Sequence, residues 1–292
     1  MNKKYKLAVV AIFLAIFGWL AWRYFSNANI AVLNPKGPIA AKERNLIFFT
    51  LGLVSIVVVP VFALTIAFAW RYREGNRKAK YSPELDGGRL AETIWWLIPS
   101  AIILVLGVVT WRSSHQLDPS QPISSTTPAI TVQVVAMDWK WLFIYPEQNV
   151  ASVNLLQLPV NTPINFQITS DAPMNSFWIP QLGGQIYAMP GMSTQLHLEA
   201  TQAGDYHGSS ANISGRGFAS MDFTARAGSP ADFQRWVSSA RSSGDVLSLN
   251  RYNQLARPSQ NNPIAYFSAA EPGLYGDVLN RFMLPGGEVN VQ

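Results

Sequence analysis

Few side chains in this sequence could perform chemistry, and their types rule out most of it. The chain has no cysteine and three histidines, His115, His197 and His207. Transition metals are held by thiolates and imidazoles that converge from short, regular spacings. No pair of these histidines stands in an H-x-x-x-H or H-x-E arrangement, so no metal site built by this chain is expected. Zero cysteine also excludes disulfides, zinc–thiolate sites, Fe–S clusters and acylation of an N-terminal cysteine. The run Gly204–Met221 is rich in hydroxyl and amide groups, Ser210, Asn212 and Ser214 among them. Such groups do not replace thiolates or imidazoles, and Met221 is a lone thioether of the kind that normally packs. One ionisable group stands out instead. Glu92, in Ala91-Glu92-Thr93-Ile94-Trp95-Trp96-Leu97-Ile98-Pro99, lies at the mouth of an apolar stretch. Ionisable groups beside hydrocarbon are costly, and they either sit at the interface or serve a pathway. From position alone both readings stay open.

The element that positions Glu92 is a membrane hairpin. Hydrophobic residues make up 49% of the 292, enough for one or two folded units plus membrane segments. Residues 1–119 hold 14 Lys/Arg against 6 Asp/Glu, and residues 120–292 hold 8 against 11. The positive excess therefore flanks the membrane segments, where it sets topology. The mildly acidic remainder offers nothing to nucleic acid. Asn45–Trp70 carries no charge and is long enough to span with some tilt; a second span runs from about Thr93 to Trp111. Pro60 and Pro99 fall inside them, as membrane helices tolerate. Between the spans, the loop 71–91 holds the densest basic run, Arg71–Lys80, which places that loop in the cytoplasm and everything after Arg112 on the outer face. Ahead of the hairpin, Leu7–Trp22 follows Lys3, Lys4 and Lys6. Residues 1–28 read as a signal removed after Ala28 or as a retained anchor with an aromatic belt at Trp19, Trp22, Tyr24 and Phe25.

After the hairpin (residues 29–117) and a Pro/Ser/Thr-rich linker (118–128), the periodicity changes to alternation. Ala129–Ala136, Ile164–Thr169, Ser193–Glu199 and Met221–Arg226 read as half-buried strands separated by turns at Asn161-Thr-Pro163, Gly183-Gly184 and Pro190-Gly191. Residues 129–228 are thus expected to form a β-sandwich or barrel. His197 reads as a packed or surface strand residue, and His207 is given no ligand role. In residues 229–292 the pattern returns to helix. Ser229-Pro230-Ala-Asp232 is a helix start, with Phe233, Trp236, Val237 and Ala240 on one face. Leu274–Leu284 forms a second short helix through Leu274, Val278 and Phe282. Helices this short are marginal alone and must pack on the sandwich or on another subunit.

Met137-Asp-Trp-Lys-Trp141, Phe143-Ile-Tyr-Pro-Glu-Gln148, Met174-Asn-Ser-Phe177, Gln185-Ile-Tyr-Ala-Met189 and Lys80-Tyr-Ser-Pro83 carry a resemblance. From about Leu33 to Phe282 the chain resembles subunit II of the bo-type ubiquinol oxidases of the haem–copper superfamily. The resemblance implies a cupredoxin-like sandwich. In copper-bearing relatives the loop reads Cys-x-Glu-x-Cys, then His, then Met, with a further His upstream. Here Ser210 and Ser214 stand for the cysteines, Asn212 for the glutamate, Phe218 for the histidine and Asn175 for the upstream histidine; only Met221 persists. Trp139 and Trp141, which in those relatives lie beside the metal, are read here as packing and docking residues. Glu-Thr-Ile-Trp…Pro from Glu92 resembles the family's second helix, whose glutamate lies at the mouth of a proton-uptake channel.

The implied role is a non-catalytic, copper-free subunit of a proton-pumping complex that passes electrons from ubiquinol to O2. It would cap subunit I, with haem b, haem o and copper held in that partner, and would assemble with subunits III and IV. The implied location is the bacterial inner membrane, with the C-terminal domain in the periplasm. Relatives often carry a lipid-accepting cysteine near the end of the signal, and this chain has none. A copper-bearing cytochrome c oxidase subunit is excluded by the substitutions. A membrane-anchored β-sandwich that binds or assembles something outside respiration remains the alternative. An outer domain that itself binds quinol is poorly placed for a lipid-soluble donor.

Overall fold

The computed structural model describes residues 16, 18–20, 23, 30–76 and 88–283. The signal-or-anchor expectation for residues 1–28 falls almost wholly outside these, as does the loop from 77 to 87. The chain divides into two compact units. One is Lys42–Gln121, and the other joins the chain up to Ala41 with the chain from Pro122 onward.

The first unit is built on α1 (Pro38–Arg71) and α2 (Arg89–Gln116). Both are long and apolar enough to cross a membrane, with mean hydropathy of 2.7 and 2.1 in their most apolar windows and none of either window buried. Such a helix, apolar all round yet covered by nothing of its own chain, is matched to hydrocarbon. At 34 and 28 residues they run about 50 and 42 Å, beyond the ~30 Å of a bilayer core. The two expected spans lie inside them. Pro60 and Pro99 each withdraw a helical donor. Hydroxyls fold back onto the helix instead of seeking water, as Ser55 Oγ to Leu51 O (2.6 Å) and Thr65 Oγ1 to Val61 O (2.8 Å) show.

The second unit is a sandwich of two sheets. Its strands are β1 (Ile130–Met137), β2 (Lys140–Tyr145), β3 (Val150–Val153), β4 (Leu155–Pro159), β5 (Ile164–Ser170), β6 (Asn175–Trp178), β7 (Ile186–Ala188), β8 (Thr194–Leu198), β9 (Gly204–Ser210), β10 (Asp222–Gly228), β11 (Val246–Leu247), β12 (Ala265–Phe267) and β13 (Ala269–Ala270). One sheet runs β12-β3-β2-β1-β5-β8, the other β4-β10-β9-β6-β7, with β11 and β13 paired separately. Between the main sheets Trp141, Phe143, Phe166, Phe177 and Phe223 pack as one aromatic cluster. Phe177 stacks on Phe223 at 5.2 Å between ring centroids, and Trp141 meets Phe177 edge-on at 5.4 Å.

The strands expected at Ala129–Ala136, Ile164–Thr169, Ser193–Glu199 and Met221–Arg226 are present. The half-buried reading fails for the end of β1, where Val134 to Met137 are buried without alternation. The reason is a second core on the outer face of the six-stranded sheet. There Val135, Met137, Leu142 and Ile144 pack against Leu247, Tyr252, Phe267, Leu274 and Val278. A sheet covered on both faces loses its alternation.

That cover is the C-terminal extension, so residues 229–283 do not stand apart from the sandwich. α3 (Pro230–Arg241) begins with the expected cap, in which Ser229 and Asp232 exchange side-chain and backbone hydrogen bonds. Its buried Phe233, Val237 and Ala240 join the inter-sheet core. α4 (Leu249–Leu255) and the strand β12 have no counterpart in the sequence reading, and β12 extends the main sheet by pairing with β3. α5 (Leu274–Asn280) ends sooner than expected, in a turn through Met283. Ahead of α1, Lys36 N donates to Gln181 O at 2.7 Å and its carbonyl accepts from Thr201. Gly37 permits this approach, because a Cβ there would lie 2.3 Å from Glu199 O.

Candidate functional site

The loop between β9 and β10 is the place where the sequence suggested chemistry. Pairing of β6 with β9 sets Phe177 opposite Ser210 and so draws the start of β6 towards the loop. Asn175 and Ser210 are both buried. Ser210 Oγ donates to Asn175 Oδ1 at 3.0 Å and accepts from Ser176 N at 3.3 Å. Asn175 Nδ2 donates to Pro173 O and Asn212 Nδ2 to Met174 O, each at 2.8 Å. Asn175, Ser210 and Asn212 are thus brought together in one uncharged network. Met221 is fully buried, and its carbonyl accepts from Ser210 N and from Trp141 Nε1, both at 3.3 Å.

Ser214 and Phe218 lie on the outer limb of the loop. Phe218 opens a short 3-10 turn, Phe218–Ser220. Ser214 Oγ is buried without a hydrogen-bond partner, while its carbonyl accepts from Trp139 Nε1 at 3.3 Å. Hydroxyls, amides and one thioether are a poor donor set for copper, which takes thiolates and imidazoles. The residues here do not fit a binuclear copper centre. Among the described residues, no group of three or more His, Cys, Asp or Glu could hold a metal ion.

Trp139 holds this limb. It occupies the turn between β1 and β2 with φ of 66°, a region bulky residues rarely enter, so the fold around it must hold it there. Its ring lies flat against Gly217, where a Cβ would come within 2.3 Å of the indole. Trp141 is different. Its ring is fully buried in the aromatic cluster, so it packs and offers no partner an edge. The docking half of the expectation is corrected for Trp141, because docking needs exposed area.

On the other side of the same turn is a site that sequence reasoning missed. Lys140 is fully buried. Its Nζ donates to Asp138 O (3.0 Å), Arg257 O (2.8 Å) and Ser259 Oγ (2.7 Å). Burial pushes its pKa down to about 8, with Asp138 acting in the opposite sense. Nearby, Asp171 Oδ2 accepts from Tyr252 Oη at 2.6 Å and from Arg281 at 3.2 Å, and Arg281 lies over the Tyr252 ring. Burial raises the Asp171 and Asp138 carboxyls above the usual range, Asp171 against the pull of Tyr252 and Arg281. A lone Lys between Trp139 and Trp141 in an aromatic-rich stretch was the one signal available.

Glu92 lies in the first turn of α2, after an N-cap Gly88 that supplies no side-chain cap. A carboxylate there is favoured by the unpaired N–H groups of the helix start. It lines an open groove of about 570 Å³ with Arg89, Trp96 and Ser100, one stripe along the helix. His115 shares a hydrogen bond with Trp111 O at 2.8 Å. His197 is buried on β8. His207 faces Asp222 at 3.6 Å on the exposed side of β9 and β10.

Comparison with known proteins places these features. A family model described as "Cytochrome C oxidase subunit II, periplasmic domain" matches residues 146–227. Another, "COX Aromatic Rich Motif", matches residues 241–286. The chain is 46% identical over 267 residues to cytochrome bo(3) ubiquinol oxidase subunit 2 of Pseudomonas putida, covering 91% of this chain and 85% of that protein. It is 48% identical over 256 residues to its namesake from Pseudomonas aeruginosa, covering 88% and 77%. With ubiquinol oxidase subunit 2 of Acetobacter aceti it shares 47% over 259 residues, covering 88% and 84%.

Proposed function

The chain belongs to the subunit 2 family of ubiquinol oxidases, respiratory haem–copper oxidases, and from that premise we propose that it is a copper-free subunit whose work is structural and proton-linked. The observation that carries this reading is the neutral network of Asn175, Ser210 and Asn212, which closes the loop by hydrogen bonds alone. In this reading electrons do not pass through the sandwich. Ubiquinol is lipid-soluble and reaches the oxidase from within the bilayer, so no port on the outer face is needed. The haems b and o and the copper that reduce O2 to water belong to subunit I, which this chain caps from the periplasmic side of the inner membrane, alongside subunits III and IV.

Glu92 is proposed to stand at the mouth of a proton-uptake channel that continues in subunit I. Its place at the start of α2, on the side of the basic loop, supports that role, since protons for O2 reduction are drawn from the cytoplasm. Glu92→Gln keeps size and hydrogen bonding but removes the titrating group. It is expected to slow turnover while the haem content of the complex is unchanged. Undiminished proton uptake in that variant would defeat the assignment.

The overall test is mild detergent extraction of the tagged chain. Co-purification of haems b and o with ubiquinol-dependent O2 uptake supports the reading. A haem-free isolate overturns it and favours a membrane-anchored binding module.

A further inference from the structure

At the end of the helix hairpin away from the basic loop, α1 and α2 enclose a groove of about 400 Å³. Its rim is polar apart from Leu117: Lys42 and Asn45 from α1, Ser113 and Gln116 from α2. Deeper in, its walls are Leu46, Phe49 and Val109. The spacing produces this division, since positions three, four and seven apart share a helix face. No carboxylate lines the groove. Asn45 Oδ1 already accepts from Arg44 at 3.3 Å, which turns its amide N–H groups into donors for something else. The rim therefore offers an ammonium, two amides and a hydroxyl to an anion, directly above a hydrocarbon wall.

The depth of this groove is fixed independently of its lining. The charge-free run of α1 begins at Asn45, and that of α2 ends at Trp111, just before Arg112. Both spans thus leave hydrocarbon at the groove, which places its rim at the level of lipid head groups. We propose that the groove between α1 and α2 holds a glycerophospholipid of the outer leaflet, with its phosphate on Lys42, Asn45, Ser113 and Gln116 and an acyl chain along Leu46, Phe49 and Val109. A free phosphate would leave the apolar wall unoccupied, and an apolar partner helix would bury the ammonium without a counter-charge. A phospholipid satisfies both halves.

The proposal rests on the membrane reading of the hairpin given above, and the two can fail separately. The intact oxidase is purified, washed extensively in detergent, and measured for bound phospholipid by native mass spectrometry beside its haem content and ubiquinol-dependent O2 uptake. The native complex is expected to keep a phospholipid that Lys42→Ala releases roughly tenfold more readily, as for loss of one charge-assisted hydrogen bond. Haem content and turnover are expected to stay as in the native complex. Val109→Trp, which fills the apolar half and spares the polar rim, is expected to release the same lipid. Equal phospholipid retention in the native complex and both variants overturns the proposal. So does a photo-crosslinker at Phe49 that captures a polypeptide instead of a lipid. Haem-free preparations that still retain the lipid would sink the oxidase reading and leave this one standing.

Discussion

The turn between β1 and β2 separates two regions of the sandwich that are held by opposite means. On one side Trp139 presses on the loop 211–220, and every polar group that closes the loop is uncharged: Asn175, Ser210 and Asn212. On the other side Lys140, Asp171 and Arg281 hold the C-terminal extension with buried or half-buried charges. The loop belongs to a domain type named for cytochrome oxidases, yet it carries no charge in its interior. The charged region joins Lys140 and Asp171 of the sandwich to the aromatic-rich segment, residues 241–286, which supplies Arg257, Ser259 and Arg281. Buried charge in this protein therefore marks attachment. A neutral network can close on itself, whereas a buried ammonium must gather several oxygens, and so it ties distant segments together.

Substitutions that weaken one region and spare the other sharpen this contrast. The largest effect is expected from Lys140→Ala, which leaves Arg257 O and Ser259 Oγ without their donor and opens a void; a loss of about 3 kcal/mol is expected. Hydrogen exchange should rise in residues 249–262 while 211–220 stays protected. Equal loosening of both regions would show that they are not independent. Gly217→Ala forces a methyl into the Trp139 ring and should cost about 2 kcal/mol by overpacking, with exchange rising in 211–220 alone. Ser210→Ala removes the hydroxyl between Asn175 and Ser176 and should cost about 1 kcal/mol. An unaltered melting temperature in that variant would mean that the network does not stabilise the loop.

The smallest effect is a pH dependence. The folded-state pKa of Lys140 is about 8, below the ordinary 10.5. Between these values the unfolded chain binds a proton that the folded chain does not, so stability attributable to this group rises with pH through that window and falls as pH drops to about 8. Lys140→Met has no such group. The stability of the native protein relative to Lys140→Met should therefore increase from pH 8 to 10.5, read from paired denaturant titrations. A pH-independent difference would place the ammonium in a solvated setting.

Much of this was legible beforehand because it depends on local pattern. The two spans follow from uncharged length, and the cap at Ser229 from residue types one turn apart. The substituted loop follows from which side chains stand at Asn175, Ser210, Asn212, Ser214 and Phe218. What escaped were pairings across long separations. β12 joins β3 across more than a hundred residues of chain, and Lys140 meets Arg257 and Ser259 over a similar distance. Neither short window held a sign of the other. The aromatic stretch misled in one respect only: Trp139 and Trp141, two positions apart, differ because a turn with positive φ places one at the surface of the loop and the next strand buries the other.

The amino-acid sequence by itself determined that this chain supplies no thiolate, a matter of composition that no fold can reverse. It determined the hairpin as well, because hydrocarbon responds to length and charge alone. The tertiary structure decided which groups are buried together. It made the outer face of the main sheet a second core and turned Lys140 into a tether. Burial and hydrogen-bond closure arise from segments far apart in the chain, and only their packing specifies them.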